Sequence, residues 1–479
     1  MIPLQSVVDS KTKERVLTTE WDGEELESLG YAKFDILRVS VLNVISDTVE
    51  LVNKFHKNKL PKATDIFEWI DLKDEKTIEL ASKAELNGVF QLWKPECIRL
   101  FQNITVRGFE DFYHATTVIR PGIDRDEYIN AHENPNQIAY IDEKLKPILE
   151  NTYGIILYQE QIMDICHFVA GFTLQEADSI RKVIAKTSNI GDKLSLKPYE
   201  EKFIKGCISN NVYEDVAKKI WNEILKRQTY GFNKSHAVAY SLISFACAYL
   251  KAHHLIEFMC ACLNDKNESR FIEELVKHGY KILPPCVNAS KQNHIIENNC
   301  LRIGLSHIKG IGKQADLIVK YQPYLAKDDF IDRCRISSDN IQTLEDVGAF
   351  DSLHGVDIFG NKKLVKIDTA KRISSEKELI GYYITGNPLD PYKEKFKHCC
   401  NDKNTDRKKF LIGGMITKLK QHVTQKGDMM AFIGIQTLSD EFEVIAWPEV
   451  WSKFRENVKV NSIITAQTSI TNKGGFTIE

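Results

Sequence analysis

"QTYGFNKSHAVAY" (residues 228–240) sets two turn-formers, Gly231 and Asn233, ahead of Lys234, Ser235 and His236, then enters an apolar run that extends to Leu250. The order reads as a loop feeding a buried helix, with a cation, a hydroxyl and an imidazole at the helix mouth. A helix N-terminus presents unpaired N–H groups and the positive end of the peptide dipole, so anions bind there readily. Lys234 and His236 add charge suited to phosphate, and Ser235 can cap the helix or donate to an oxygen. The plainer reading makes Ser235 a cap only, Lys234 a solvated cation and His236 a surface side chain.

The surroundings bear on that choice. From Arg181 to Lys234 there are twelve basic residues against six acidic ones. Arg181, Lys182 and Lys186 fall within about one and a half helical turns and share a face. A basic helix beside a basic helix mouth reads as a polyphosphate or nucleic-acid surface, although a solvated helix face produces the same charge run.

The 479 residues suffice for about three or four domains. Hydrophobic residues make up 43% and charged residues 27%, a globular composition that excludes fibrous and low-complexity classes. The formal charge is −2, so a nucleic-acid partner has to be held by local patches. Eleven cysteines include no C-x-x-C pair, which argues against a structural zinc site. The start, "MIPLQSVVDSKTKERV", has no apolar signal core, and the longest apolar stretch, in 237–250, is too short for a bilayer. A reducing cytoplasm, thiol cysteines and no membrane partner are expected.

Along the chain, "YAKFDI" (31–36) predicts a strand and "RVSVLNVISDTVELVNKF" (38–55) a helix. Residues 75–265 read as mainly helical. Helices are expected at 108–119, at 154–172 ending on Gly171, at 174–187 and at 213–228. "ILPPCVNAS" (282–290) breaks the pattern, and "CCNDKNTDRKK" (399–409) reads as a linker. After it, "FLIGGMITKLKQHVT", the turn "QKGD", "MAFIGIQTL" and "FEVIAWP" predict strands of a small β-barrel. The fold class is multidomain α+β.

Ordered signatures add a resemblance. "GVFQL" (88–92), "RPG" (120–122), "TYGIILYQEQIMDI" (152–165), "EADSIRKVIAK" (176–186), "YGFNKSHAVAY" (230–240) and "YLKAHHLIEFM" (249–259) resemble the fingers of bacterial DNA polymerase III alpha subunits. "ILPPCVN" (282–288), "IKGIG" (308–312), "EKELIGYYITGNPLDPY" (376–392) and "TQKGDMMAF" (424–432) continue it in the same order. The resemblance implies a palm remnant at 1–55, fingers at 56–265, a clamp-binding-like domain at 266–400 with a helix-hairpin-helix at 303–320, and an OB-fold at 405–479. A barrel placed after the fingers matches the common alpha-subunit type.

That family performs template-directed nucleotidyl transfer with two metal ions, Mg2+ by expectation, on three palm aspartates; clustered carboxylates are needed to hold two hard cations close together. The resemblance makes Asp35 in "YAKFDIL" the third of them, where the residues alone would make it a helix cap. The D-x-D motif that carries the other two lies well upstream of the third in that family; none of the thirty-four residues before Asp35 forms it, and Asp22 in "EWDGEEL" sits in a polar segment with no strand before it. The expectation is the carboxy-terminal part of a split replicative polymerase completed by an N-terminal polymerase fragment. The alternatives are a catalytically inactive DNA- and nucleotide-binding fragment of a disrupted gene, or part of an error-prone alpha-like polymerase.

By the same resemblance, Arg120, Arg181, Lys182, Lys186, Tyr230, Asn233, Lys234, Ser235 and His236 form the dNTP cradle. Lys182 stands where the family has a second arginine and offers a point charge rather than a planar fork. "SHIKGIGKQADLIV" (306–319) has the G-x-G turn of a helix-hairpin-helix. Gly310 and Gly312 would let the backbone approach a duplex phosphate, flanked by Lys309 and Lys313. A plain tight turn between helices would share that spacing. The OB-fold implies single-stranded template binding. Expected partners are primer-template DNA, dNTPs, the N-terminal fragment, and the sliding clamp with other replisome subunits. "QADLI" mimics a clamp peptide but reads better as a buried helix.

Overall fold

The computed structural model describes residues 2–10, 13–32, 34, 39–120, 122–186, 193–227, 232–353, 368–401, 408–424, 426–438, 441–470 and 475–478. Two compact units result, Met1–Leu42 and Asn43–Glu479. The first holds an antiparallel hairpin of β1 (Leu4–Val8) and β2 (Arg15–Thr19), followed by α1 (Gly23–Ser28). Asp22 is the α1 cap: its Oδ1 accepts from the Glu25 amide at 2.9 Å while Glu25 Oε2 accepts from the Asp22 amide at 3.1 Å. The expectation of no strand before Asp22 is therefore corrected. β2 is largely exposed on both faces, so it lacks the alternation that would have marked it. Of the strand expected at 31–36, the described residues Tyr31, Ala32 and Phe34 belong to no strand, and Asp35 lies outside the described residues.

All but the first two residues of α2 (Val41–Phe55) belong to the second unit, where the helix buries Val44, Ile45, Val49 and Val52 on one stripe. α3 (Glu75–Ser82) and α4 (Phe109–Val118) follow. The expected helix at 154–172 is shorter than its periodicity suggested. Residues 155–158 are extended, α5 covers Gln159–Asp164, and a π-helical turn covers Ile165–Val169. Then come α6 (Leu174–Lys186), α7 (Lys193–Ser209), α8 (Glu214–Arg227), α9 (Lys234–His253) and α10 (Leu255–Asp265). α7 has no counterpart in the sequence reading, because Pro198 and scattered charges blur its apolar stripe.

α9 packs against α3, α4 and α10. Its Phe245 meets Phe112 of α4 with ring centroids 5.0 Å apart. Gly88 lies against α10 with φ +78°; an added Cβ would sit 3.0 Å from both Cys262 Sγ and Phe258, so only glycine fits without strain. Beside this, α5 to α8 enclose their own core around Phe203 and Trp221. There Gly206 lets α7 close on the Ala170 carbonyl, which a Cβ would meet at 1.9 Å.

Downstream lie a three-stranded sheet in the order β3 (Ile282–Leu283), β5 (Cys300–Arg302), β4 (Ile295–Glu297), and the short helix α11 (Ala315–Lys320). The last module is a closed barrel of β6 (Lys409–Val423), β7 (Met429–Gln436), β8 (Glu441–Ala446), β9 (Ile463–Ile470) and β10 (Phe476–Ile478). β6 passes a register shift at Ile416/Lys418, pairing with β9 before it and mainly with β7 after it. β10 closes the ring, parallel to β8 and antiparallel to β9. α12 (Pro448–Phe454) sends Trp451 into a core of Phe410, Ile412, Ile433 and Phe442. This five-stranded Greek-key barrel is the OB type, and the chain as a whole is multidomain α+β.

Candidate functional site

The extended run ahead of α5 explains the opening motif. Tyr158 and Phe232 form a parallel bridge: the Gln159 amide donates to the Phe232 carbonyl at 3.0 Å, and the Phe232 amide to the Leu157 carbonyl at 3.2 Å. Gln161 holds that run in place, its Oε1 accepting from the amides of Leu157 and Tyr158 at 2.9 and 3.0 Å. The bridge sets the N-termini of α5 and α9 side by side, although they lie some 75 residues apart in sequence. Arg181 of α6 joins them, donating from Nη1 to Gln159 Oε1 at 2.9 Å.

At the α9 mouth the cap is Asn233, not Ser235. Asn233 Oδ1 accepts from the His236 amide at 2.8 Å and from the Ser235 hydroxyl at 2.6 Å. The Lys234 amide donates to both oxygens of Glu160, each at 3.0 Å. A carboxylate thus already occupies one donor of the anion-binding mouth. The Lys234 ammonium lies 5.9 Å from the Tyr158 ring centre. His236 stacks on Tyr240 at 4.2 Å and meets Phe232 edge-on at 5.2 Å. Arg120 lies over the other ring neighbour, its guanidinium carbon 3.7 Å from the Phe232 centre. Among the described residues Arg120 pairs with no acid, and its Nε donates to the Thr116 carbonyl at 3.3 Å.

Acids temper the remaining charge. Arg181 Nη2 and Lys182 Nζ both reach Asp178, at 2.9 and 2.7 Å. Lys182 first, then Arg181, hold the Asp178 carboxyl below its usual range. Burial pushes the Asp164 carboxyl up, while Lys234 pulls part of the way back. The structure therefore gathers Arg120, Arg181, Asn233, Lys234, Ser235 and His236 about two helix mouths, with Lys182 on the exposed side. Lys186 ends α6 with no described side chain, and Tyr230 and Asp35 lie outside the described residues. The sequence reading missed Gln159, Glu160, Asp178 and Phe232. Of these, Asp178 was legible from its i,i+4 spacing to Lys182.

The G-x-G turn is a separate feature. Lys309, Gly310, Gly312 and Lys313 are exposed, while Ile308 and Ile311 are buried beneath them. Gly310 has φ +88°, which this turn requires. The Lys309 amide donates to the Leu379 carbonyl at 2.8 Å, so that amide is engaged within the fold. A 3₁₀ turn (Leu305–His307) precedes it and α11 follows. Ala315 and Ile318, from "QADLI", are fully buried.

Sequence comparison meets this geometry at two places. The family described as the bacterial DNA polymerase III alpha subunit finger domain matches residues 41–211, and a helix-hairpin-helix motif family matches residues 279–357. The DNA polymerase III alpha subunit of Aquifex aeolicus is 30% identical over 501 residues, covering 95% of this chain and 42% of that protein. The chain is homologous to the carboxy-terminal half of the bacterial DNA polymerase III alpha subunit. Alpha subunits of Buchnera aphidicola from Acyrthosiphon pisum and of Staphylococcus aureus are each also 30% identical, over 93% of this chain and 44% and 45% of theirs. The chain thus spans less than half the length of these alpha subunits. The finger-domain match takes in α5 and α6 with Gln159, Glu160 and Arg181, and the motif match takes in the G-x-G turn. Among the described residues no helix is long and apolar enough to cross a membrane.

Proposed function

We propose that this chain is the nucleotide- and DNA-holding part of a template-directed DNA polymerase. The observation that carries the reading is the Tyr158–Phe232 bridge, which unites "YQEQ", "FNKSH" and Arg181 at one pair of helix mouths. A triphosphate entering there meets Lys234 and Arg120, and its oxygens can take Arg181 and Lys182 from Asp178. The exposed face of His236 and Tyr240 supplies an aromatic surface for a base. The G-x-G turn with Lys309 and Lys313 holds duplex by its backbone phosphates, and the barrel holds the single-stranded template.

Asp35 supplies one hard oxygen ligand for the magnesium ions of phosphoryl transfer, which stabilise the attacking and leaving oxygens when bound. Near the helix mouths, Glu160 and Asp178 are engaged by the Lys234 amide and by Arg181 and Lys182. In this reading the remaining metal ligands come from an N-terminal polymerase fragment, because no D-x-D motif precedes Asp35. The test is primer extension with Mg2+ and four dNTPs. The chain by itself should be inactive, and adding a polypeptide that carries a D-x-D palm strand should restore synthesis. Asp35→Asn should abolish the restored activity without loss of association. Extension by the isolated chain, or full activity of the Asn variant, overturns the assignment of Asp35.

A further inference from the structure

Away from the helix mouths, the end of α2 meets the junction of α9 and α10. His56 follows the last residue of α2, and its amide still donates to the Val52 carbonyl at 2.9 Å, so its backbone continues the helix. His254 is the residue between α9 and α10. Its amide donates back to Leu250 at 2.8 Å and its carbonyl accepts from Phe258 at 2.9 Å. Glu257 lies three residues further on, in the first turn of α10 and on the same face as His254.

The three side chains converge. His56 Nε2 lies 2.7 Å from Glu257 Oε1, and the two imidazoles meet edge-on with centroids 5.3 Å apart. One ligand-capable atom from each of the three falls within 4.8 Å of the other two. The Glu257 side chain is 5% exposed, whereas that of His56 is 45% exposed. Nδ1 of His254 is buried without a hydrogen-bond partner. An orphaned buried nitrogen and a buried carboxylate both cost free energy. One cation between them would satisfy both, and exposed His56 leaves an entry path.

We propose that His56, His254 and Glu257 form a structural site for a zinc-type divalent cation that pins the end of α2 to the α9–α10 junction. Two imidazoles and one carboxylate are a donor set that zinc accepts, with a water in the fourth position; magnesium and calcium ask for an all-oxygen shell. The set contains no cysteine, so the missing C-x-x-C pattern does not bear on it. The site uses none of the residues of the proposed nucleotide cradle and stands independently of it.

The experiment strips the full chain with a chelator and titrates it with Zn2+ against a chromophoric competitor, and in parallel with Co2+ while visible absorption is recorded. One equivalent should bind, and Co2+ should show ligand-field bands without a thiolate charge-transfer band. His56→Ala, His254→Ala and Glu257→Gln should each weaken Zn2+ binding by roughly tenfold or more. Cys399→Ser with Cys400→Ser should leave it unchanged. Zn2+ should raise the melting temperature of the unaltered chain and not that of His56→Ala, whose half-exposed side chain can be removed without emptying a core. A thiolate band, no binding at all, or Zn2+ affinity unchanged in His56→Ala overturns the site.

Discussion

Glu160 is the side chain on which the chemistry of the α9 mouth turns. Its two oxygens bind the Lys234 amide, where a phosphate oxygen would otherwise bind, and its charge opposes an incoming anion. In the proposed cradle Lys234 works in the other direction, as a point charge on a polyphosphate. Removing one charge from such a site should weaken binding by about 1.5–3 kcal/mol, the range for hydrogen bonds to charged groups. Lys234→Ala should therefore raise the dissociation constant for a dNTP roughly ten- to hundredfold, and Glu160→Gln should lower it. DNA affinity at fixed salt should change little in either variant. Nucleotide titrations beside DNA titrations check this. A Lys234→Ala chain that binds dNTP normally but loses DNA would mean that "FNKSH" grips nucleic acid instead.

At the scale of elements, α9 is held by a buried cation as well as by apolar packing. Lys251 is 1% exposed and donates to the carbonyls of Glu85 and Asn87 at 2.7 and 3.0 Å, with Glu274 2.5 Å away as its counter-charge. Lys251→Met would leave Glu274 charged, buried and unmatched, and should cost about 3–5 kcal/mol in chemical denaturation. Lys251→Met with Glu274→Leu should recover much of that loss; no recovery would show that the carbonyl contacts carry the stability. α2, α6 and α8 were legible because their buried residues lie on one stripe; α6 and α8 fall within one residue of the expected limits, and α2 ends as expected but begins three residues later. Residues 154–158 were not, since the apolar Ile155–Ile156–Leu157 run suits helix and strand alike, and the bridge to Phe232 that decides between them is tertiary. The cations of the site were visible for the converse reason: their residue types state their charge. The engagement of Glu160 by Lys234 could not be read locally, because 74 residues separate them.

For the whole molecule, two properties follow from where charge is buried. Burial lowers the His114 pKa to about 4; Asp111 opposes that fall, and His132 and Lys234 add to it. His294 is driven well below its ordinary value by burial and by stacked His307. Both bind a proton more readily when unfolded, so stability is complete above about pH 6.5 and falls as pH drops below it. By pH 5 His114 should cost about 2 kcal/mol, and His294 adds to the loss in the same direction. Urea midpoints at pH 7.5 and 5.0 should separate accordingly, and His114→Gln should narrow the gap by a similar amount; an unchanged gap would mean that His114 charges freely in the folded chain. The second property concerns DNA. With a formal charge of −2, long-range attraction to DNA is weak, and local cations have to supply the contacts. Lys309 and Lys313 are exposed on one turn and form no ion pair among the described residues. If each neutralises one phosphate, Lys309→Ala with Lys313→Ala should make the slope of log affinity against log salt shallower by about two units. Duplex binding should weaken most at low salt, while dNTP affinity should stay constant because the proposed cradle is built from other elements. A salt titration of duplex affinity decides it. A parallel downward shift with an unaltered slope would mean that the turn supports the fold of its domain and touches no phosphate.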